Sequence, residues 1–240
     1  TFRRMLENLD NLTENGIKAI EFLLGLKSPA VPEKVDFQPF DEHLNASQKE
    51  AVSLALGSKD FFLIHGPFGT GKTRTAAELI LQKVKRGNRV LATAESNIAV
   101  DNLVERLFGK ARIVRLGHPS RVSRHLIESS LFYQLEQHER FREVRRLREK
   151  AEELANLRDR ETKPAPQWRR GLSDEEIVKL AKRKGGIRGV PADVIESMAR
   201  WIELNREVQN LLDEARRIEE EIMDEIVQEA QVVLATNSTA

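Results

Sequence analysis

Residues Gly66 to Thr73 read GPFGTGKT and fit the spacing G-x-x-x-x-G-K-[ST] at every position. Glycines at 66, 69 and 71 are expected to let the backbone adopt positive φ and turn successive N–H groups toward a phosphate, backed by the positive end of a helix starting near Lys72. Lys72 would supply a point charge between two phosphates and the Thr73 hydroxyl a ligand for Mg²⁺. Lys72 and Thr73 are therefore the candidate catalytic residues, with Thr73 touching metal by way of the nucleotide. Pro67, Phe68, Thr70 and Arg74 complete the candidate nucleotide-binding set.

Two further stretches carry polar groups of the right kind. LNASQKEAV, Leu44 to Val52, ends fourteen residues before the loop. The amide of Gln48 accepts and donates at once, as reading the N6 and N7 edge of adenine requires, although a polar residue early in a helix is also an ordinary cap. TAESNIAVDNLVERL puts Ser96 and Asn97 where a strand ends and a helix begins, so small polar side chains and free N–H groups face outward. A plain helix cap explains Ser96 equally well.

These residues need a scaffold, and the pattern around them supplies one. FFLIH (61–65) reads as a buried strand, a helix runs from about Lys72 to Lys85 until Gly87-Asn88, and RVLATA (89–94) reads as a second strand. A helix from about Ala99 to Phe108 and the strand RIVRL (112–116) continue the rhythm, which argues for a parallel sheet with crossover helices. Residues 1–26 have helical spacing with a break at Asn15-Gly16, and KSPAVPEKVDFQP reads as a linker. From about Leu126 to Ala230 the strands stop. Trp201, Leu204, Val208, Leu211, Ala215, Ile218 and Ile222 hold heptad spacing, as do Val144, Leu147, Ala151 and Leu154. The expectation is an antiparallel helical hairpin, a coiled coil with arms of roughly 50–60 Å projecting from the sheet domain. AQVVLATNSTA then returns to strand.

Composition narrows the classes. The chain has 240 residues, 40% of them apolar, 32% charged and none cysteine, with a net charge of +1. That excludes a disulfide framework, a thiolate zinc site and a cysteine nucleophile, and gives no global pull toward a polyanion. Without a long apolar run or a leader, the default location is cytoplasmic and no membrane is expected. Because the chain begins at Thr1 rather than Met, a fragment of a longer polypeptide is expected.

Charge is nonetheless uneven. Residues 139–190 carry 16 Lys and Arg against 10 acids, and residues 191–230 carry 4 against 12, so the second arm can answer much of the first. Residues 163–188 carry 8 basic against 3 acidic side chains, with Trp168 beside Arg169 and Arg170, and Lys182, Arg183 and Lys184 after a capping box at Ser173 and Glu176. Cations beside an aromatic suit a nucleic-acid strand, and an unpaired solubilising tip suits the pattern as well.

Taken in order, LNASQKEAV, GPFGTGKT, VLATAESNIAVDNLVERL, RIVRLGHPSR and QVVLATNSTA resemble the adenine-reading Gln motif, the Walker A loop and three nucleic-acid-contacting motifs of superfamily 1 helicases. SNIAVD and RLGHPSR resemble the branch of the nonsense-mediated-decay and immunoglobulin mu-binding helicases. The resemblance implies a P-loop NTPase, RecA-like α/β domain over residues 34–125, a helical hairpin insertion over 126–230, a return strand over 231–240 and a stalk helix over 1–33. It implies ATP and Mg²⁺ as cofactors, with Gln48 on adenine. Ser96, Asn97 and the stretch from Arg115 to Arg121 would lie near a single strand of DNA or RNA. The activity implied is ATP-dependent 5′-to-3′ movement on that strand.

Phe68 stands where the family usually has Pro. The family's acidic Walker B pair, sensor residues, arginine fingers and second RecA-like domain are not recognisable in this chain, so the chain is expected to bind nucleotide without turning it over. Asp224-Glu225 interrupts a charged helical pattern and reads as a solvated face. The rival readings are a chromosome-maintenance-type P-loop ATPase, which expects a much longer coil, and a nucleotide-binding interaction module.

Overall fold

The computed structural model describes residues 6–7, 9–118, 120 and 122–239. They form two compact units, one of residues 1–134 and 226–240 and the other of residues 135–225.

In the first unit, α1 (Glu14–Leu23) starts at Thr13, whose hydroxyl accepts from the Gly16 N–H at 3.2 Å. A side-chain cap starts a helix wherever it satisfies an orphan donor. The break expected at Asn15-Gly16 therefore falls earlier, at residues 11–13, and Gly16 lies in the first turn. After the linker, α2 (Ala46–Gly57) opens with a capping box in which Asn45 and Gln48 each accept from the other's backbone N–H. α3 (Lys72–Lys85) occupies the predicted span and ends as Gly87 and Asn88 donate back to Val84 and Lys83.

The strands β1 (Val90–Ala94), β2 (Ile113–Arg115) and β3 (Val232–Thr236) form one parallel sheet in the order β1-β3-β2, with α4 (Asn97–Leu107) between the first two in sequence. Val232 pairs with both Val90 and Ile113, so the last strand of the chain fills the middle of the sheet. Such a strand is buried on both faces and reads as a continuous apolar run, as VVLA does. The core joins Ala77, Ile80 and Leu81 of α3 to Val100, Val104 and Leu107 of α4 and to Val232 and Leu234.

One expected strand is missing. Residues 61–65 have no ladder partner among the described residues, and Leu63 is 81% exposed. The apolar run FFLIH is necessary for a buried strand but not sufficient, because a strand exists only where a neighbour answers its N–H and C=O groups.

α5 (Leu131–Gln137) crosses into the second unit, which holds α6 (Phe141–Arg158), the short α7 (Pro166–Arg169), α8 (Asp174–Lys182) and all but the last residues of α9 (Ala192–Glu229). α6 and α9 run antiparallel. Arg140 pairs with Glu221 and Glu225, Arg148 with Glu219, and Arg158 with Asn205, while Leu147, Ala151 and Leu154 pack on Val208, Leu211 and Leu212. The hairpin arms are unequal. α9 has 38 residues, about 57 Å at 1.5 Å per residue, and α6 only 18, about 27 Å. α6 ends at Arg158 with its cap at Asp159, and Pro164 and Pro166 keep the helix from resuming beyond it, since proline lacks the helical donor. The remaining length of α9 is covered by α8, where Ile177 packs on Ile195, Met198 and Ile202.

Candidate nucleotide-binding and strand-binding sites

The glycine-rich turn delivers the chain into α3 with its helical donors free. Gly71 caps the helix at φ 82° and ψ 24°, a left-handed conformation that a side chain would strain, and no side chain caps the terminus. The first helical hydrogen bond is Thr75 N–H to the Gly71 carbonyl at 3.0 Å, so the N–H groups of Lys72, Thr73 and Arg74 precede the ladder. Gly69 also has positive φ, at 81°, whereas Gly66 does not, correcting one of the three sequence expectations. Gly66 is needed for space: a Cβ there would lie 2.7 Å from the Thr70 hydroxyl.

Lys72 is exposed, and its ammonium donates to the carbonyls of Gly66 at 2.6 Å and Pro67 at 2.7 Å while lying 5.6 Å from the Phe68 ring centroid. The Thr70 hydroxyl donates to the Pro67 carbonyl at 2.9 Å, closing the turn. Phe68 itself is fully exposed.

Gln48 is tied to this loop. Its Nε2 donates to the Thr70 carbonyl at 2.9 Å and its Oε1 accepts from Asn45 N–H at 3.0 Å. A glutamine amide has two donors and two acceptor positions, so one of each remains for a base edge. Arg74, counted with the loop from sequence, is half-buried and pairs with Asp41 at 3.0 Å.

Sequence reasoning missed the groups that hold this arrangement together. Glu78, 2% exposed, accepts from the N–H groups of Phe40 and Asp41, each at 3.0 Å, and from Gln82 Nε2 at 2.9 Å, while Gln82 also donates to the Gln38 carbonyl at 2.7 Å. These two side chains of α3 clip residues 38–41 in place, just ahead of the helix bearing Gln48. The signal was present in the sequence: Glu78 and Gln82 sit four apart on the stripe that also carries Ala77 and Leu81, and a polar side chain on a core-facing stripe must have a partner.

Of the expected strand contacts, Ser96 caps α4, its hydroxyl accepting from Ala99 N–H at 3.2 Å, and Asn97 opens the helix. Arg115 is fully buried, with its guanidinium on Asn97 and Asp101. Arg121 lies outside the described residues. In the second unit Arg170, Lys182, Arg183 and Lys184 are exposed, and Arg169 is paired with Asp174. The expected capping box at Ser173 is formed, and hydrogen bonding from Ser173 holds the Glu176 carboxyl below its usual range. Asp224 and Glu225 are exposed on α9, and Glu225 is bound to Arg140. Among the described residues no cluster of three metal-ligating side chains occurs, and no helix is long and apolar enough to cross a membrane.

A family model described as an AAA domain matches residues 43–240. An uncharacterized ATP-dependent helicase of Methanocaldococcus jannaschii is 48% identical over the whole of this chain, which covers 37% of that protein. The DNA-binding protein SMUBP-2 of Mus musculus is 55% identical over 43% of the chain and 11% of its own length. The ATP-dependent helicase upf1 of Schizosaccharomyces pombe is 44% identical over 38% of the chain and 10% of its own length. The chain thus spans little more than a third of the archaeal relative and about a tenth of the other two.

Proposed function

Since this chain belongs to the AAA domain family and carries the first RecA-like domain of a superfamily 1 helicase, we propose that it is the nucleotide-binding part of an enzyme that couples ATP hydrolysis to 5′-to-3′ movement along single-stranded DNA or RNA. The observation that carries this reading is the pairing of an uncapped α3 N-terminus with Lys72, whose ammonium rests on two loop carbonyls within the same turn. A phosphate is the partner that answers both at once, by accepting from the backbone N–H groups and by drawing the ammonium off the carbonyls.

The donor set fits Mg²⁺·ATP. Residues 69–73 line the phosphates with N–H groups, Lys72 adds charge, the Thr73 hydroxyl is the metal ligand and the free positions of Gln48 meet the adenine edge. Mg²⁺ supplies neutralisation of charge on the phosphate oxygens. Ser96 and Asn97 meet a strand phosphate at the start of α4, and Lys182, Arg183 and Lys184 add a salt-sensitive contact in the helical unit. The second RecA-like domain of the same polypeptide provides the opposing wall of the nucleotide cleft. Coupling follows if ATP closes that cleft and hydrolysis reopens it, so that the strand contacts shift by one step per turnover.

The rival chromosome-maintenance reading expects a much longer coil than an 18-residue α6 offers. Strand separation tests the proposal. A duplex with a 5′ single-stranded overhang should be opened by the full-length protein only with ATP and Mg²⁺, and a 3′ overhang should not support opening. Equal opening from both overhangs, or opening without ATP, would refute it.

A further inference from the structure

The helicase resemblance places Arg115 near the strand, yet it is 0% exposed and cannot touch a phosphate. Its guanidinium is spent inside the protein. Nε pairs with Asp101 Oδ1 at 3.3 Å, Nη1 donates to the Leu116 carbonyl, and Nη2 donates to Asn97 Oδ1 at 2.6 Å. The far side of Asp101 accepts from Ser123, at 3.1 Å from its N–H and 2.7 Å from its hydroxyl. Gly117, at φ 134°, lets the chain pass this cluster, since a Cβ there would sit 2.9 Å from Arg115 Nη1.

The bond to Asn97 has a chemical consequence. A guanidinium only donates, so the amide atom facing it must be the oxygen and the NH₂ must be the other end. Among the described residues that NH₂ has no hydrogen-bond partner. A phosphate oxygen only accepts, and a free Asn could offer it either end. Fixed by Arg115, Asn97 can offer only donors, beside the Ser96 hydroxyl, whose oxygen accepts from Ala99 N–H and whose proton has no acceptor among the described residues.

We propose that Arg115 is a positioning residue: buried between Asp101 and Asn97, it sets the polarity of the Asn97 amide so that α4 presents a donor-only face to a nucleic-acid phosphate, and it touches no strand itself. This rests on the reading of Ser96 and Asn97 as strand contacts.

The test is binding of a fluorescent single-stranded oligonucleotide to the full-length protein over a range of salt. Arg115→Lys keeps a cation for Asp101 but cannot span to Asn97 as well, and ADP affinity in the same preparation verifies that the domain is folded. The expected result is strand affinity reduced about tenfold, the scale of one charged hydrogen bond, with the slope of log affinity against log salt unchanged. Asn97→Ala should lose a similar factor, and the Arg115→Lys, Asn97→Ala double variant no more than either alone. Asn97→Asp, which keeps the acceptor for Arg115 and removes the NH₂, should bind the strand more weakly than Asn97→Ala. A slope reduced by about one would make Arg115 a direct phosphate contact. Unchanged affinity in a folded Arg115→Lys would make its role structural alone, and additive losses in the double variant would separate it from Asn97. Each of these overturns the positioning role. Wild-type protein that binds no oligonucleotide would instead overturn the strand-contact reading beneath it.

Discussion

The ammonium of Lys72 donates to the carbonyl oxygen of Gly66, six residues earlier, at 2.6 Å. The phosphate loop is thus closed on itself by the charge that nucleotide would use, and the bond is exposed, where such contacts add little to stability. Lys72→Ala should therefore weaken ATP and ADP binding while moving the folding free energy by no more than about 0.5 kcal/mol. Calorimetric titration beside thermal melting checks this. Unchanged nucleotide affinity in the variant would remove the phosphate-binding role of Lys72.

Gln48 serves two masters, and substitutions can separate them. Gln48→Glu retains the acceptor for Asn45 N–H but loses the donor to the Thr70 carbonyl. Its cap on α2 should persist, while the carboxylate oxygen now facing the Thr70 carbonyl repels the loop and the preference for ATP over GTP falls. Gln48→Ala should show the same loss of preference together with destabilisation of about 1 kcal/mol from the broken capping box. Full retention of base preference in both variants would remove Gln48 from the base site.

Glu78 reaches the nucleotide site only through the backbone. Glu78→Ala orphans the N–H groups of Phe40 and Asp41 and one of the two Gln82 amide donors, at a cost of about 1–3 kcal/mol or more. Urea unfolding should show that loss. A shift below about 0.5 kcal/mol would mean that residues 38–41 are held by something else.

Glu161 contributes to the pH dependence of the helical unit. A hydrogen bond from Arg200, and after it one from Ser197, holds its carboxyl below the usual glutamate range. A folded-state pKa lowered in this way contributes stability above the unfolded value of about 4.3, and that contribution is lost as pH falls through the folded value. Wild type should accordingly lose more melting temperature than Glu161→Gln as the pH is taken from neutral to below the unfolded glutamate value of about 4.3. Circular dichroism at both pH values reads the difference, and parallel curves for the two proteins would contradict it.

What the sequence made legible was local. α3 is readable from end to end because glycines start it and Gly87-Asn88 stops it. β3 declared itself as an apolar run, although its place between β1 and β2 did not, since strand order depends on partners far away in sequence. FFLIH misled for the same reason, as its apolar residues carry no record of a neighbour. The hairpin was overdrawn because α9 runs on through residues 192–200, beyond Trp201 and Asn205, where Arg158 ends its partner. In the candidate site the phosphate loop was visible as a motif, while the network beneath the strand contacts was not. Asp101 lies on the buried stripe of α4 with Val100 and Val104, a placement that signals a hidden partner without naming Arg115.

Steady-state phosphate release measures the central claim, that this loop powers movement on a strand. In the full-length protein, turnover should rise on adding single-stranded DNA or RNA and vanish with Lys72→Ala. The 240-residue chain alone should bind nucleotide and release almost no phosphate, because no second acidic ligand, oriented water or arginine finger is assigned within it, and the finger alone is worth roughly 10³–10⁵ in rate. Full-length turnover indifferent to any strand, or surviving Lys72→Ala, would contradict the claim, and strand-stimulated turnover by the 240-residue chain would send the search for the catalytic carboxylate back to Asp224 and Glu225.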